Sequence, residues 1–226
     1  MRAFNLFTNY PKPKGVRYVG SNLRTIDHRI IASYRDKRLY DGNRNCGYGG
    51  FKYDGRWKEI ALKICREYNL NNNSSLLQLG CEKGFLLNDL KNLYPNMRIQ
   101  GLDISEYAIN NSMESVKKNV KKCDGYLKLE FGEKEFDFVI AIGPVYAPNL
   151  TDAIQCLKEI QRTSKGKSFV TLGSYKTKKD YWLYKQWLIL GTTILHEKEW
   201  IKVLNHVNYT GDYYFSNAKT LNLKQK

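Results

Sequence analysis

Four short apolar runs, three of them followed by a stretch of helical periodicity, constrain this chain more than any other feature. Ser75-Leu76-Leu77-Gln78-Leu79 precedes Phe85, Leu86, Leu90 and Leu93, which share one helical face over about 84–93. Arg98-Ile99-Gln100-Gly101-Leu102-Asp103 precedes a predicted helix over about 105–120. Phe136 to Ile142 is the strongest strand, and Ala153, Ile154, Leu157 and Ile160 form the inner face of a helix over 151–163. The turn Lys165-Gly166-Lys167 then opens the strand Ser168-Phe169-Val170-Thr171-Leu172. Short strands that read as continuous apolar runs are buried on both faces. Their alternation with helices predicts an α/β fold, a parallel sheet with helices on both sides.

The flanks read differently. Residues 1–50 are irregular, with a turn-rich opening at Pro11-Lys12-Pro13-Lys14-Gly15 and a short helix expected within 24–39, carrying Ile26, Ile30, Ile31 and Tyr34 on one face. Tyr40-Asp41-Gly42-Asn43-Arg44 is echoed by Tyr53-Asp54-Gly55-Arg56-Trp57, each with an Asp-Gly turn signal. A helix over about 56–68 follows, with Trp57, Ile60, Ala61 and Ile64 on one side. Beyond residue 175 come an aromatic-rich helical stretch, a helix over 197–206 and a strand or hairpin over 208–215. The expected organisation is an extension or lid over 1–55 and a catalytic-type domain over 56–226, with an aromatic insertion at about 176–192.

The chemistry concentrates where the first run ends. Gln78-Leu79-Gly80-Cys81-Glu82-Lys83-Gly84-Phe85 leaves a buried strand and enters a helix. Glycine serves where the chain turns sharply or backbone must approach a ligand. The helix start offers free N–H groups. Asp103 closes the second strand about 20 residues beyond the glycines, where an acid accepts hydrogen bonds from a ribose diol. A dinucleotide site would use G-x-G-x-x-G to seat a pyrophosphate. Here Glu82 lies between Gly80 and Gly84, a third glycine is missing, and the acid would repel that group. The same acid tolerates a ligand with a sulfonium and an amino group.

Residues 76–175 resemble the class I S-adenosylmethionine-dependent methyltransferases. Leu77 to Gly84 resembles their first motif, and Gly101-Leu102-Asp103-Ile104-Ser105 their second-strand motif. Leu129-Glu130-Phe131 with Phe136-Asp137-Phe138-Val139-Ile140 resembles the approach to their fourth strand, and Glu159-Ile160-Gln161-Arg162 the helix before their fifth. The helix with Trp200 and the segment Asn208-Tyr209-Thr210-Gly211 resemble their last helix and sixth strand. Tyr40 to Trp57 resembles the N-terminal segment of a bacterial subgroup acting on glycans or small metabolites. The resemblance implies a Rossmann-like, doubly wound, mostly parallel seven-stranded sheet and S-adenosylmethionine as cofactor. It implies a cofactor site of Gly80, Cys81, Glu82, Lys83, Gly84, Phe85, Asp103 and Ile104, with Asp124 or Gly125 near the adenine and Ile142-Gly143 near the methionyl end. Two positions depart from the family pattern: Gln78 stands where an acid is usual, and Glu82 where a glycine is.

Other residues invite a role in the site. Arg56 is placed to clamp the cofactor carboxylate, and Tyr53 and Trp57 to border the sulfonium or the acceptor. Tyr146, in Gly143-Pro144-Val145-Tyr146, and Tyr181 and Tyr184 of the aromatic stretch are candidates for the acceptor pocket. Asp137 reads as structural. The histidines His28, His196 and His206 are isolated, and none is assigned as a base. The five cysteines form no CxxC pair and complete no metal set, which suits reduced thiols in a cytoplasmic protein, Cys81 included. No apolar run reaches the roughly 18 residues of a membrane span.

The net charge of +15 is spread along the chain, densest at Lys117-Lys118, Lys121-Lys122, Lys176 and Lys178-Lys179. It leaves two rivals beside a small-molecule or glycan methyltransferase. One is an RNA- or protein-directed enzyme using the basic surface, with nucleic acid the less favoured partner. The other is a non-catalytic nucleoside-binding member, prompted by Gln78 and Glu82.

Overall fold

The computed structural model describes residues 1–11 and 15–226, so most of the expected opening turn at 11–15 lies outside the described residues. The chain runs β1 (Arg2–Ala3), β2 (Arg17–Val19), α1 (Ile26–Ser33), α2 (Lys37–Tyr40), α3 (Lys58–Tyr68), β3 (Ser75–Leu79), α4 (Phe85–Leu93), β4 (Arg98–Asp103) and α5 (Glu106–Asn110). A 3-10 segment (Glu114–Asn119), β5 (Val120–Lys122), β6 (Phe138–Ala141), α6 (Leu150–Thr163), β7 (Ser168–Tyr175) and α7 (Lys178–Trp187) follow. The last elements are β8 (Leu195–His196), α8 (Glu197–His206), β9 (Asp212–Ser216) and β10 (Leu223–Gln225).

The sheet runs β1-β9-β7-β6-β3-β4-β5, with β8 branching from β7, and each of these pairings is parallel. Strands β3, β4 and β5 wind one way, and β6, β7 and β9 the other. The order therefore reverses between β3 and β6, and a crevice opens at their carboxyl ends, where ligands bind in such sheets. Side chains alternate across the pleat. Leu76 joins a core with Ile60, Ile64, Leu86, Leu90, Phe138 and Ile140 on the α3–α4 side. Leu77 and Leu79 join Val139, Leu157, Ile160, Val170, Trp200 and Leu204 on the α6–α8 side. Burying each such side chain contributes about 1.5–3 kcal/mol.

At the opposite end of β6, Asp137 accepts from the Ser75 amide and hydroxyl, both at 2.7 Å, and from Lys165 Nζ at 2.8 Å. Burial raises its pKa, but these donors outweigh that and hold the carboxyl near 2. Asp137 thus ties β3 to β6 below the site, the structural role its position suggested.

The N-terminal segment contributes to the sheet as well as to a cover over the crevice. Arg2 bridges Asp212 and Glu67, each at 2.6 Å, which docks β1 beside β9, and Leu6 is fully buried. The helix expected within 24–39 is two helices. Arg35 takes φ +52° and Asp36 caps α2 through the Arg38 amide. On the apolar face expected there, Ile26, Ile30 and Tyr34 are at least half exposed. Helical spacing marks an apolar stripe but not what covers it. Here Arg29 sets the helix orientation by reaching the carbonyls of Lys185, Gln186 and Leu188 at the end of α7. α7 packs on β7 and on the separate β2–β10 pair through Leu183, Tyr184, Val19 and Leu223. Among the described residues no helix is long and apolar enough to cross a membrane.

Candidate cofactor site under an aromatic roof

The loop after β3 is built on left-handed backbone. Gly80 has φ +68° and Gly84 φ +75°. A Cβ on Gly80 would meet Pro144 Cγ at 2.8 Å, and one on Gly84 would meet Val116 Cγ2 at 2.7 Å. Glycine is required at both for conformation and for space. Glu82, at the position usually held by glycine, also takes φ +51°. The loop hangs on β4: the amides of Gly80 and Cys81 donate to the Leu102 carbonyl at 2.8 and 3.0 Å. Asp103 is 4 % exposed and accepts from the amides of Glu82 and Ser105, both at 2.8 Å. Burial pushes its carboxyl pKa up, opposed by those two donors. Cys81 lies beneath the loop, its Sγ 2.8 Å from where a Gly101 Cβ would stand, and burial pushes its thiol well up. It fills space rather than attacks.

A roof from the N-terminal segment covers this loop. Lys83 is buried and its Nζ donates to Asp41 Oδ2 at 2.7 Å and to the Phe51 carbonyl at 3.0 Å. Tyr107 donates to the same Asp41 oxygen at 2.8 Å. Tyr48 donates its hydroxyl to Glu82. Tyr40 stacks on Tyr48 and Tyr107, and Phe51 stacks on Phe85 with centroids 4.8 Å apart. Burial, with Asp103 nearby, lifts the Glu82 carboxyl to about 8 even though the Tyr48 hydroxyl favours its charged form. Beneath the roof is a cavity of about 10 Å³ lined by Phe51, Trp57, Gln78, Cys81, Glu82, Phe85 and Leu86. Small-molecule sites occupy roughly 300–1,000 Å³, so this cavity alone is too small for such a ligand. Gln78 is 5 % exposed in this lining, and its Oε1 has no hydrogen-bond partner. A buried polar atom without a partner is rare and costly. It is an unused acceptor in the lining of this cavity.

Residues 76–166 match the family described as Methyltransferase domain. Over this segment the chain is similar to the class I S-adenosylmethionine-dependent methyltransferases. Over 84 residues it is 30% identical to the malonyl-[acyl-carrier protein] O-methyltransferase of Bacillus anthracis. That match spans 36% of this chain and 31% of the relative's length. Among solved structures, YcgJ of Bacillus subtilis shares the fold at a TM-score of 0.53 and 12% identity, over 65% of this chain and 66% of that one. A S-adenosylmethionine-dependent methyltransferase of Methanosarcina mazei does so at 0.50 and 18% identity, over 64% and 82%.

The methyltransferase fold brings some of the predicted residues together and leaves others apart. Gly80 to Phe85, Asp103 and Ile104 gather at the crevice. Ile142 and Gly143 lie at the exit of β6, where the Gly143 amide donates to Thr171 Oγ1 at 2.9 Å. Asp124 and Gly125 follow β5 beside Asp103, with the Asp124 side chain fully exposed 3.8 Å from Lys122. Arg56 reaches the Tyr10 hydroxyl at 3.4 Å. Its guanidinium grips Asp54 at 2.5–2.9 Å, because an Asp two residues earlier in the same turn is the nearer anion. Trp57 lines the cavity, and Tyr53 donates to Asp89, which pushes the phenol up to about 12. Tyr146 packs against Gly173 and Gly191 beside Tyr184. Tyr184 is fully buried and Tyr181 sits on Tyr175 at the surface. His28 caps α1 through the Thr25 amide at 3.1 Å and is spent there.

Sequence reasoning missed Asp41, Tyr48, Phe51 and Tyr107. The signal was the repeated Tyr-Asp-Gly turn. Its two copies separate in role: Asp41 anchors the roof to Lys83, whereas Asp54 holds Arg56.

Proposed function

We propose that this chain transfers a methyl group from S-adenosylmethionine to a small-molecule or glycan-type acceptor by in-line displacement. The observation that carries the reading is the unpartnered Gln78 Oε1, set beside Cys81 and Glu82 of the glycine loop, whose Glu82 amide donates to Asp103. Gln78 would accept from the amino group of the cofactor's methionine. Asp103 spends two acceptor sites on backbone amides, and a carboxylate has about four, so two remain for a ribose diol. Gly80, with no side chain, lets backbone come close. Ile104, Asp124 and Gly125 would border the nucleobase, and Ile142 and Gly143 the methionyl end.

The bound cofactor supplies an electrophilic methyl group. The protein's part is alignment and exclusion of water, which in such a displacement provide much of the rate. The roof of Tyr40, Tyr48 and Phe51 would close over the reacting centre, with Tyr146 on the acceptor side. The relative's printed name, an O-methyltransferase of malonyl-[acyl-carrier protein], favours an oxygen as the acceptor atom. Isothermal titration with S-adenosylmethionine and S-adenosylhomocysteine tests the reading. We expect saturable binding of both, and absence of heat at millimolar cofactor refutes it.

A further inference from the structure

Four arginines converge on the end of α7. The guanidinium of Arg24 lies 3.7 Å from the Trp187 ring centre, with those of Arg44 and Arg17 at 5.4 and 5.5 Å. Arg29 stands beside them. Among the described residues none of the four forms a salt bridge with a carboxylate, and Arg24 is only 8 % exposed. Buried or half-buried like charges normally meet a counter-ion.

Two of the four have a structural task. Arg24 donates to the Trp187 carbonyl at 2.6 Å, and Arg29 donates to carbonyls of Lys185, Gln186 and Leu188. Both satisfy the negative end of α7. Arg17 and Arg44 have no such task. The Arg17 side chain makes no hydrogen bond among the described residues, and the only one from Arg44 goes to the Gly47 carbonyl of its own loop. Burial and mutual repulsion depress the pKa of Arg24 to about 9, and burial lowers those of Arg17, Arg29 and Arg44 as well.

The position of this cluster matters. Arg44 packs beneath Gly49, next to Tyr48, whose hydroxyl meets Glu82 of the cofactor loop. The charges therefore border the roof on its α7 side.

We propose that Arg17, Arg24 and Arg44, ranged about Trp187, bind a phosphate monoester carried by the acceptor. This assignment of the acceptor rests on the methyltransferase reading of the crevice. Two or more guanidinium forks suit a dianionic phosphate, and the indole edge packs the body of the molecule beside it. The recessed Arg24 favours a single terminal group over the repeating backbone of a nucleic acid.

The test measures inorganic phosphate and phenyl phosphate binding by calorimetry at fixed ionic strength, for the full chain and for Arg17→Gln and Arg44→Gln. S-adenosylhomocysteine is titrated in parallel. Neither arginine supports a buried carbonyl of α7, so both variants should keep native far-ultraviolet circular dichroism. We expect phosphate affinity to fall about 10-fold or more in each, as losing a charge-assisted hydrogen bond would give, with S-adenosylhomocysteine affinity unchanged. Unaltered phosphate affinity in both variants, or no phosphate binding by the parent chain, overturns the proposal. A parallel loss of S-adenosylhomocysteine affinity also overturns it, by assigning the arginines to the cofactor carboxylate. So does single-stranded RNA binding tighter than either phosphate with the same arginine dependence. Phosphate binding without S-adenosylhomocysteine binding would instead sink the cofactor reading and leave the anion site standing.

Discussion

Replacing Gln78 by leucine should make the protein more stable and a poorer binder of S-adenosylmethionine. Gln78 Oε1 is buried without a partner, and such a group costs about 1–3 kcal/mol. Leucine has similar bulk and no polar atom, and the neighbours Leu86, Phe85 and Trp57 are apolar. In a chain of 226 residues each kcal/mol moves Tm by about 2–4 °C, so a rise of about 2–12 °C is expected. The cofactor-bound state should lose a hydrogen bond between a charged ammonium and this acceptor, about 1.5–3 kcal/mol, or about 10- to 150-fold in Kd. Differential scanning calorimetry without cofactor and isothermal titration with it read the two effects separately. A purely structural glutamine would show a Tm that falls while Kd stays constant. A Leu variant with unchanged Kd would refute the role given to Gln78, whatever its Tm.

Two further outcomes follow from the roof. Lys83→Met should leave Asp41 without its cation in a largely buried setting, costing about 2–4 kcal/mol locally. Limited proteolysis or hydrogen exchange should then find residues 40–51 opened, and protection equal to the parent chain would refute the anchor. The roof should also loosen as pH rises. The Glu82 carboxyl is lifted from 4.5 to about 8 under the roof, so the closed arrangement binds the extra proton. That stabilisation is complete below about 4.5 and is lost as pH climbs through 8. Exchange of residues 40–51 should accelerate over that window, and Glu82→Gln should flatten most of the change. Asp103, shifted in the same direction, leaves a smaller remainder. Exchange independent of pH, after correction for intrinsic rates, would refute the coupling.

The strands and the loop were legible because their causes are local. An apolar run such as Leu76 to Leu79 has no stable place outside a sheet buried on both faces, and it forms β3 as expected. Gly80 and Gly84 sit where the backbone demands them, and Asp103 ends β4 where spacing put it. Where sequence reading faltered, the cause was a competing partner that spacing does not reveal. Arg56, expected at the cofactor, pairs here with Asp54 two residues away. Ile26, Ile30 and Tyr34 share a helical face that spacing marked, and it stays exposed while Arg29 holds the helix to the end of α7.

By itself, then, the sequence determined the central strands β3, β4, β6 and β7 and the position of the glycine loop, since periodicity and glycine conformation act over a few residues. The tertiary structure alone decided what covers that loop. Lys83 meets Asp41 and Tyr48 meets Glu82 across more than 30 residues, and Arg17, Arg24 and Arg44 meet Trp187 across more than 140. Such contacts depend on where whole elements pack, and no local pattern in the chain encodes them.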